Sequence, residues 1–172
     1  MPFIKITNNL YLGDQFSNKL KTKHKELKIS NIYYDMLKHQ YANKQNTIYN
    51  DYFVKIDDKL ALNLLDSHDP SDFNDYKFAL AIKFISENIE NNLIYTHCQL
   101  GVSRSASTIF IYLVISKTLN FSSFEQALNE YLTKIYPYMK VNYGVYNYLK
   151  NNFPYTKVKN LSKKTWGDLL AY

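Results

Sequence analysis

The stretch YTHCQLGVSRSAS, residues 95–107, holds the chain's only cysteine, Cys98, between His97 and a following arginine, Arg104. Gly101, Ser103 and Ser105 stand among them. A thiol, a glycine and a guanidinium at this spacing suit attack by sulfur on a bound oxyanion. A loop joining a strand to a helix can turn the backbone N–H groups of Gln99, Leu100, Gly101, Val102, Ser103 and Arg104 inward. Gly101 permits the tight curvature this needs. Sulfur on the rim of such donors is favoured as the thiolate. The planar fork of Arg104 can grip two oxygens of one phosphate. An inert buried thiol is the common fate of a lone cysteine, but it leaves these neighbours unexplained.

Breaking a P–O bond leaves an oxygen that needs a proton, and losing the group that supplies it typically costs ~10²–10⁴ in rate. The segment LLDSHDPSDFND, residues 64–75, offers Asp66, Asp69, Asp72 and Asp75. Asp66 ends an apolar, strand-like run, where a sheet edge would present it to the loop. Asp69, beside Pro70, is accounted for as a helix cap, and Asp72 and Asp75 as first-turn charges. His68 reads as a solvated loop residue.

These residues need a scaffold, and the pattern supplies one. FIKI and NLYLG read as short strands, the second ended by Gly13. Residues 14–28 are polar and Lys-rich, which suggests a surface helix. SNIYYDM, residues 30–36, is β-branched and aromatic and suggests a buried strand. Residues 38–50 read as loop. DYFVKI and LALNLLD could form a hairpin. A helix is expected from about Asp69 or Ser71 through Ile89, and NLIYTH is a strand ending at His97. The apolar run after Arg104 reads as a core helix. Ser122 and Glu125 suggest a capping box, and a short helix precedes Pro154. Strands and helices interleave, which implies an α/β fold with a central, mainly parallel sheet flanked by helices.

The chain has 172 residues and 46% hydrophobic content, enough for one folded domain with a sizeable core. A single cysteine excludes an internal disulfide, so a cytoplasmic, reducing compartment is expected. No apolar run is long enough to span a bilayer, and the N-terminus does not read as a signal peptide. The net charge of +6 suits an anionic partner. Abundant Lys, Asn, Ile and Tyr point to codon bias as its main origin. NKLKTKHKELK lacks interleaved aromatics, so nucleic acid is not the expected partner.

The residues His97, Cys98, Gly101, Ser103, Arg104 and Ser105 resemble the signature loop of the cysteine-dependent protein phosphatases. The GVSRSAS form most resembles the dual-specificity subfamily. The resemblance implies that Cys98 forms a phosphocysteine intermediate and that Arg104 binds the phosphoryl oxygens. It implies that Ser105 donates to the departing thiolate and that His97 orients the loop. It also favours Asp66 as general acid and then general base. ITNNLYLGD looks like the family's opening strand pair. QALNEYLTKIYPYMKVNYGVYNYL is similar to its late helices, with Asn142 in position to fix the loop around the site.

No cofactor or metal is implied, since Arg104 and the amides carry the positive charge. The expected substrate is a protein bearing phosphotyrosine and phosphoserine or phosphothreonine. RNA 5′-triphosphatase and phosphoinositide phosphatase are alternatives using related loops, and a phosphopeptide-binding module is a third. Residues 1–154 form the expected catalytic domain. The tail, 155–172, is expected to pack on that domain or on a second copy, which would make a homo-oligomer. The middle, residues 36–60, matches the family poorly.

Overall fold

A computed structural model describes residues 3–172. The strands and helices are, in order, β1 (Phe3–Lys5), β2 (Leu10–Gly13), β3 (Lys25–Ile29), α1 (Asn31–Tyr41), β4 (Ile48–Tyr49), β5 (Phe53–Ile56), β6 (Lys59–Leu62), α2 (Asp75–Asn88), β7 (Ile94–His97), α3 (Arg104–Ile115), α4 (Phe124–Glu130), α5 (Tyr143–Asn152), α6 (Thr156–Ser162) and α7 (Trp166–Leu170). The strands make one sheet in the order β1-β2-β7-β3-β6-β5-β4. β2, β7, β3 and β6 are mutually parallel. β1 at one edge and β5 with β4 at the other are antiparallel, so the sheet is mixed, with a parallel centre.

The two faces follow from period-2 alternation. Ile94 of β7, Leu27 and Ile29 of β3, and Phe53, Leu60 and Leu62 of the hairpin join the main core with α2, α3 and α5. Val54 and Ala61 face the other way, against Tyr34 and Leu37 of α1. α3 is buried along most of its length, which explains its apolar composition all round.

Three sequence expectations are corrected. Residues 14–28 are not a helix: 14–24 form no regular element, and KELKI is β3, between β7 and β6. Its lysines made it look like a solvated face, yet Leu27 and Ile29 alternate inward while Glu26 and Lys28 pair at 3.0 Å. Residues 30–36 are not a strand. α1 begins after Ser30 and buries Tyr34 and Leu37, a helical spacing that outweighs the local preference of its aromatic and β-branched residues. It also takes the first part of the presumed loop 38–50, which ends in β4.

Two caps shift. Asp69 accepts from the Ser71 N–H at 2.9 Å but caps only a 3₁₀ turn, Pro70–Asp72. α2 starts later, capped by Asn74, whose Oδ1 accepts from the Lys77 N–H at 3.0 Å. α4 is capped by Ser123 rather than Ser122, its hydroxyl accepting from the Gln126 N–H at 3.2 Å.

Beyond α5 the chain folds back on the domain. α6 packs on α2 and buries Val158, and α7 buries Leu169. Trp166 lies 5.6 Å from the Phe53 ring, and its indole N–H donates to Glu87 at 2.8 Å. Among the described residues no helix is long and apolar enough to cross a membrane.

Candidate active site

β7 is buried at all four positions and delivers Cys98 at the carboxyl end of the parallel strands. The chain then curls through Gln99–Ser103 and enters α3 at Arg104. Gly101 has φ of 74°, and a Cβ there would stand 2.6 Å from the Gly13 carbonyl oxygen. Both the positive φ and the close backbone demand glycine. The Tyr136 hydroxyl donates to the Gly101 carbonyl at 2.9 Å, and the Lys140 N–H to the Val102 carbonyl at 2.7 Å. With these carbonyls held outward, the loop is anchored from the segment before α5.

The Cys98 side chain is 2% exposed. Its Sγ receives the Gly101 N–H at 3.3 Å and the Ser105 hydroxyl at 3.2 Å. Two donors are thus aimed at one sulfur. His97 Nδ1–H donates to the Cys98 carbonyl at 3.1 Å. The ring lies between Tyr95, stacked at 5.4 Å, and Tyr33, edge-on at 5.1 Å. Burial first, then the Lys28 charge, push the imidazole down to about 4, so it is neutral near pH 7 and serves as a fixed hydrogen-bond donor. Tyr33 in turn donates its hydroxyl to Gln15.

Arg104, the only arginine in the chain, is 1% exposed. Nη1 donates to the Leu64 carbonyl at 2.9 Å and Nη2 to Gln99 Oε1 at 2.7 Å. Nε and the Ser103 hydroxyl are buried and have no hydrogen-bond partner among the described residues. A buried donor is costly to leave unpaired, so an oxyanion over the loop would complete the set. Asp66 lies beside it, with Oδ2 3.6 Å from Arg104 Nη2. Its Oδ1 accepts from Asn142 Nδ2 at 2.8 Å. Asn142 also caps α5 through Oδ1, accepting from the Val145 N–H at 3.0 Å. One side chain therefore fixes both the helix start and the carboxylate.

The structure thus brings together Asp66, His97, Cys98, Gly101, Ser103, Arg104, Ser105 and Asn142. Asp69, Asp72 and Asp75 are engaged in the turn and helix that follow. His68 is exposed and lines a recess of about 490 Å³ with Asp66, Val102, Ser103, Lys140, Val141 and Asn142. A larger recess, about 570 Å³, lies between Tyr52, Tyr76 and the tail, and none of its lining residues belongs to this site. Sequence reasoning missed Tyr136, the Leu64 carbonyl and the Gln99 side chain. No local pattern marks the first two. The proximity of Gln99 to Arg104 in the loop was a signal for the third.

Fold and loop together define an α/β protein that presents a thiol, an arginine and a carboxylate around an oxyanion cradle. Residues 10–151 match the family model for the dual specificity phosphatase catalytic domain, and the chain belongs to that family. It is 35% identical over 118 residues to a probable dual specificity protein phosphatase of Dictyostelium discoideum, covering 62% of this chain and 46% of the relative. The chain therefore spans about half the length of the curated relative it matches. Among solved structures, DUSP15 superposes with a TM-score of 0.63 at 18% identity, covering 95% of this chain and 96% of that one. PTPMT1 in complex with PI(5)P superposes with a TM-score of 0.55 at 15% identity, covering 92% and 97%. Both likenesses concern the fold.

Proposed function

We propose that this chain is a cysteine-dependent protein phosphatase acting on phosphotyrosine and on phosphoserine or phosphothreonine. The observation that carries the reading is the convergence of Cys98 Sγ, the Arg104 guanidinium and the Asp66 carboxyl around one loop. In the first step the Cys98 thiolate attacks phosphorus, the P–O bond to the substrate breaks, and protonated Asp66 gives its proton to the leaving oxygen. Arg104 and the loop amides hold the three remaining oxygens as charge builds on them. In the second step Asp66, now a carboxylate, takes a proton from water as that water attacks phosphorus. The P–S bond breaks, inorganic phosphate forms, and Ser105 donates to the departing thiolate. Asn142 holds Asp66 in place, and His97 fixes the peptide that bears the nucleophile. The positive charge comes from Arg104 and the amides, so no metal enters these steps.

Phosphate release from phosphotyrosine and phosphothreonine peptides in EDTA, wild type against Cys98→Ser, tests the reading. Turnover of both peptides by wild type and of neither by the variant is the expected result. A folded wild type that turns over neither would overturn it. A second reading, hydrolysis of a lipid phosphate monoester, draws on the fold likeness to PTPMT1 bound to PI(5)P. A phosphoinositide substrate in the same assay separates the two.

A further inference from the structure

The four parallel strands at the centre of the sheet, in the order β2, β7, β3, β6, end on the edge where the Cys98 loop begins. Past each of those ends one large apolar side chain stands in solvent. Phe16 follows β2 at 86% exposure, Leu100 follows β7 at 58%, Ile32 follows β3 at 44% and Leu65 follows β6 at 45%. Single apolar residues strewn over a surface need no explanation. These four are not strewn: Leu100 is in the phosphate loop, and the chain neighbours of the other three are hydrogen-bonded to the loop, to Arg104 or to one another.

Gln15, next to Phe16, donates its N–H to the Gln99 carbonyl at 3.3 Å. The Leu64 carbonyl accepts from Arg104 Nη1 and, at 3.3 Å, from the N–H of Asn31, so the chain neighbours of that junction are Leu65 and Ile32. Leu100 is in the loop itself. Met36, also exposed, follows Ile32 by one turn of α1 and extends the strip. The segments 14–16, 30–32, 63–66 and 98–103 contain no lysine, although the chain carries a net charge of +6.

We infer that the substrates of this site are phosphorylated protein segments with large apolar side chains flanking the phosphoresidue. The inference rests on the phosphatase reading, which fixes the occupant: what offers a phosphate to Cys98 meets the edge of the sheet that carries these side chains. An anionic headgroup surface calls for several lysines on the rim; these four segments have none, and the recess beside Asp66 adds one, Lys140. Apolar flanks seated on Phe16, Ile32 and Leu65 supply binding remote from phosphorus, which the enzyme can use to hold the phosphoryl group in line for attack.

The test compares kcat/KM on a small aryl phosphate, on phosphopeptides flanked by Leu and Phe, by Ser and Gly, or by Asp and Glu, and on a phosphoinositide in phosphatidylcholine vesicles. The Leu/Phe series should exceed the Ser/Gly series by about tenfold or more, the size of effect that apolar contacts give. Phe16→Ser and Ile32→Ser should erase that preference and leave the aryl phosphate rate unchanged. Equal rates across the flanks, with aryl phosphate still hydrolysed, would overturn the inference and leave the phosphatase reading standing. So would a phosphoinositide turned over faster than every peptide. If a folded wild type hydrolyses nothing, the chemistry is wrong, and the affinity of Cys98→Ser for the three peptide series still decides the inference. Tighter binding of the Leu/Phe peptides supports it, and equal binding overturns it.

Discussion

At the scale of single residues, the site divides by how far apart its members lie in the sequence. Cys98, Gly101, Arg104 and Ser105 were legible because one short loop carries them all, and the loop's chemistry depends on local spacing. Asp66 was favoured among four carboxylates by its place at the end of a strand-like run and by the family resemblance, since no local spacing ties it to the loop. What singles it out in space is Asn142, which holds it at 2.8 Å from far along the chain. Asp66→Asn should slow hydrolysis of a phosphothreonine peptide by ~10²–10⁴. It should slow an aryl phosphate with a good leaving group much less, because that oxygen departs without a proton. Equal losses on both substrates would show that Asp66 is not the acid. His97 gives a pH prediction. Its folded value of about 4 lies below the ordinary histidine value of 6.5, so between those pH values the unfolded chain binds a proton that the native state does not. Stability should therefore fall as pH drops from 6.5 toward 4, by about 3 kcal/mol at most, and this contribution should be flat above pH 7. Urea midpoints at pH 7.5 and 5 for wild type and His97→Gln check this. The variant should lose less on acidification, and parallel losses would refute the assignment.

At the scale of elements, the hairpin β5–β6, strand β7 and helix α3 agree with their sequence patterns because each is consistent with its own local preference. β3 and α1 do not. KELKI is a strand because β7 and β6 flank it, and α1 is a helix because Tyr34 and Leu37 have the β5–β6 face to cover. Neither neighbour can be seen from within the segment. The same holds for the loop's supports. Tyr136 reaches the Gly101 carbonyl from the segment that follows α4, and nothing near Tyr136 in sequence announces it. Tyr136→Phe removes that donor and leaves a buried carbonyl unpaired, a cost of about 1–3 kcal/mol. Vanadate or phosphate affinity should fall along with the thermal midpoint. A midpoint shift with unchanged anion affinity would mean that the bond serves packing alone. Gly101→Ala should do more damage, because the clash is with the Gly13 backbone and no side chain can move to relieve it.

At the scale of the whole molecule, the family match ends at residue 151, yet the packing does not. Leu169 is fully buried, the Tyr76 hydroxyl donates to its carbonyl at 2.5 Å, and Tyr172 stacks on the Tyr76 ring at 4.5 Å. Trp166 packs tilted against Phe53, and the Lys55 and Lys83 ammonium groups sit 5.4 and 5.5 Å from its ring. The tail thereby joins α2 to the β5 side of the sheet. α2 is the element that follows the Asp66 segment, so closing the tail over it helps hold the frame on which the site is built. If that is right, the tail and the domain unfold together. Leu169→Ala should destabilise the chain by about 2–5 kcal/mol, the usual cost of emptying a leucine site in a core. It should do so in a single transition seen alike by tryptophan fluorescence, which reports on Trp166 alone, and by far-UV circular dichroism, which reports on the whole fold. Two separated transitions, with fluorescence changing first and phosphatase activity retained, would show instead that residues 156–172 are an appendage that the domain can shed. Coincident transitions would make them part of its core.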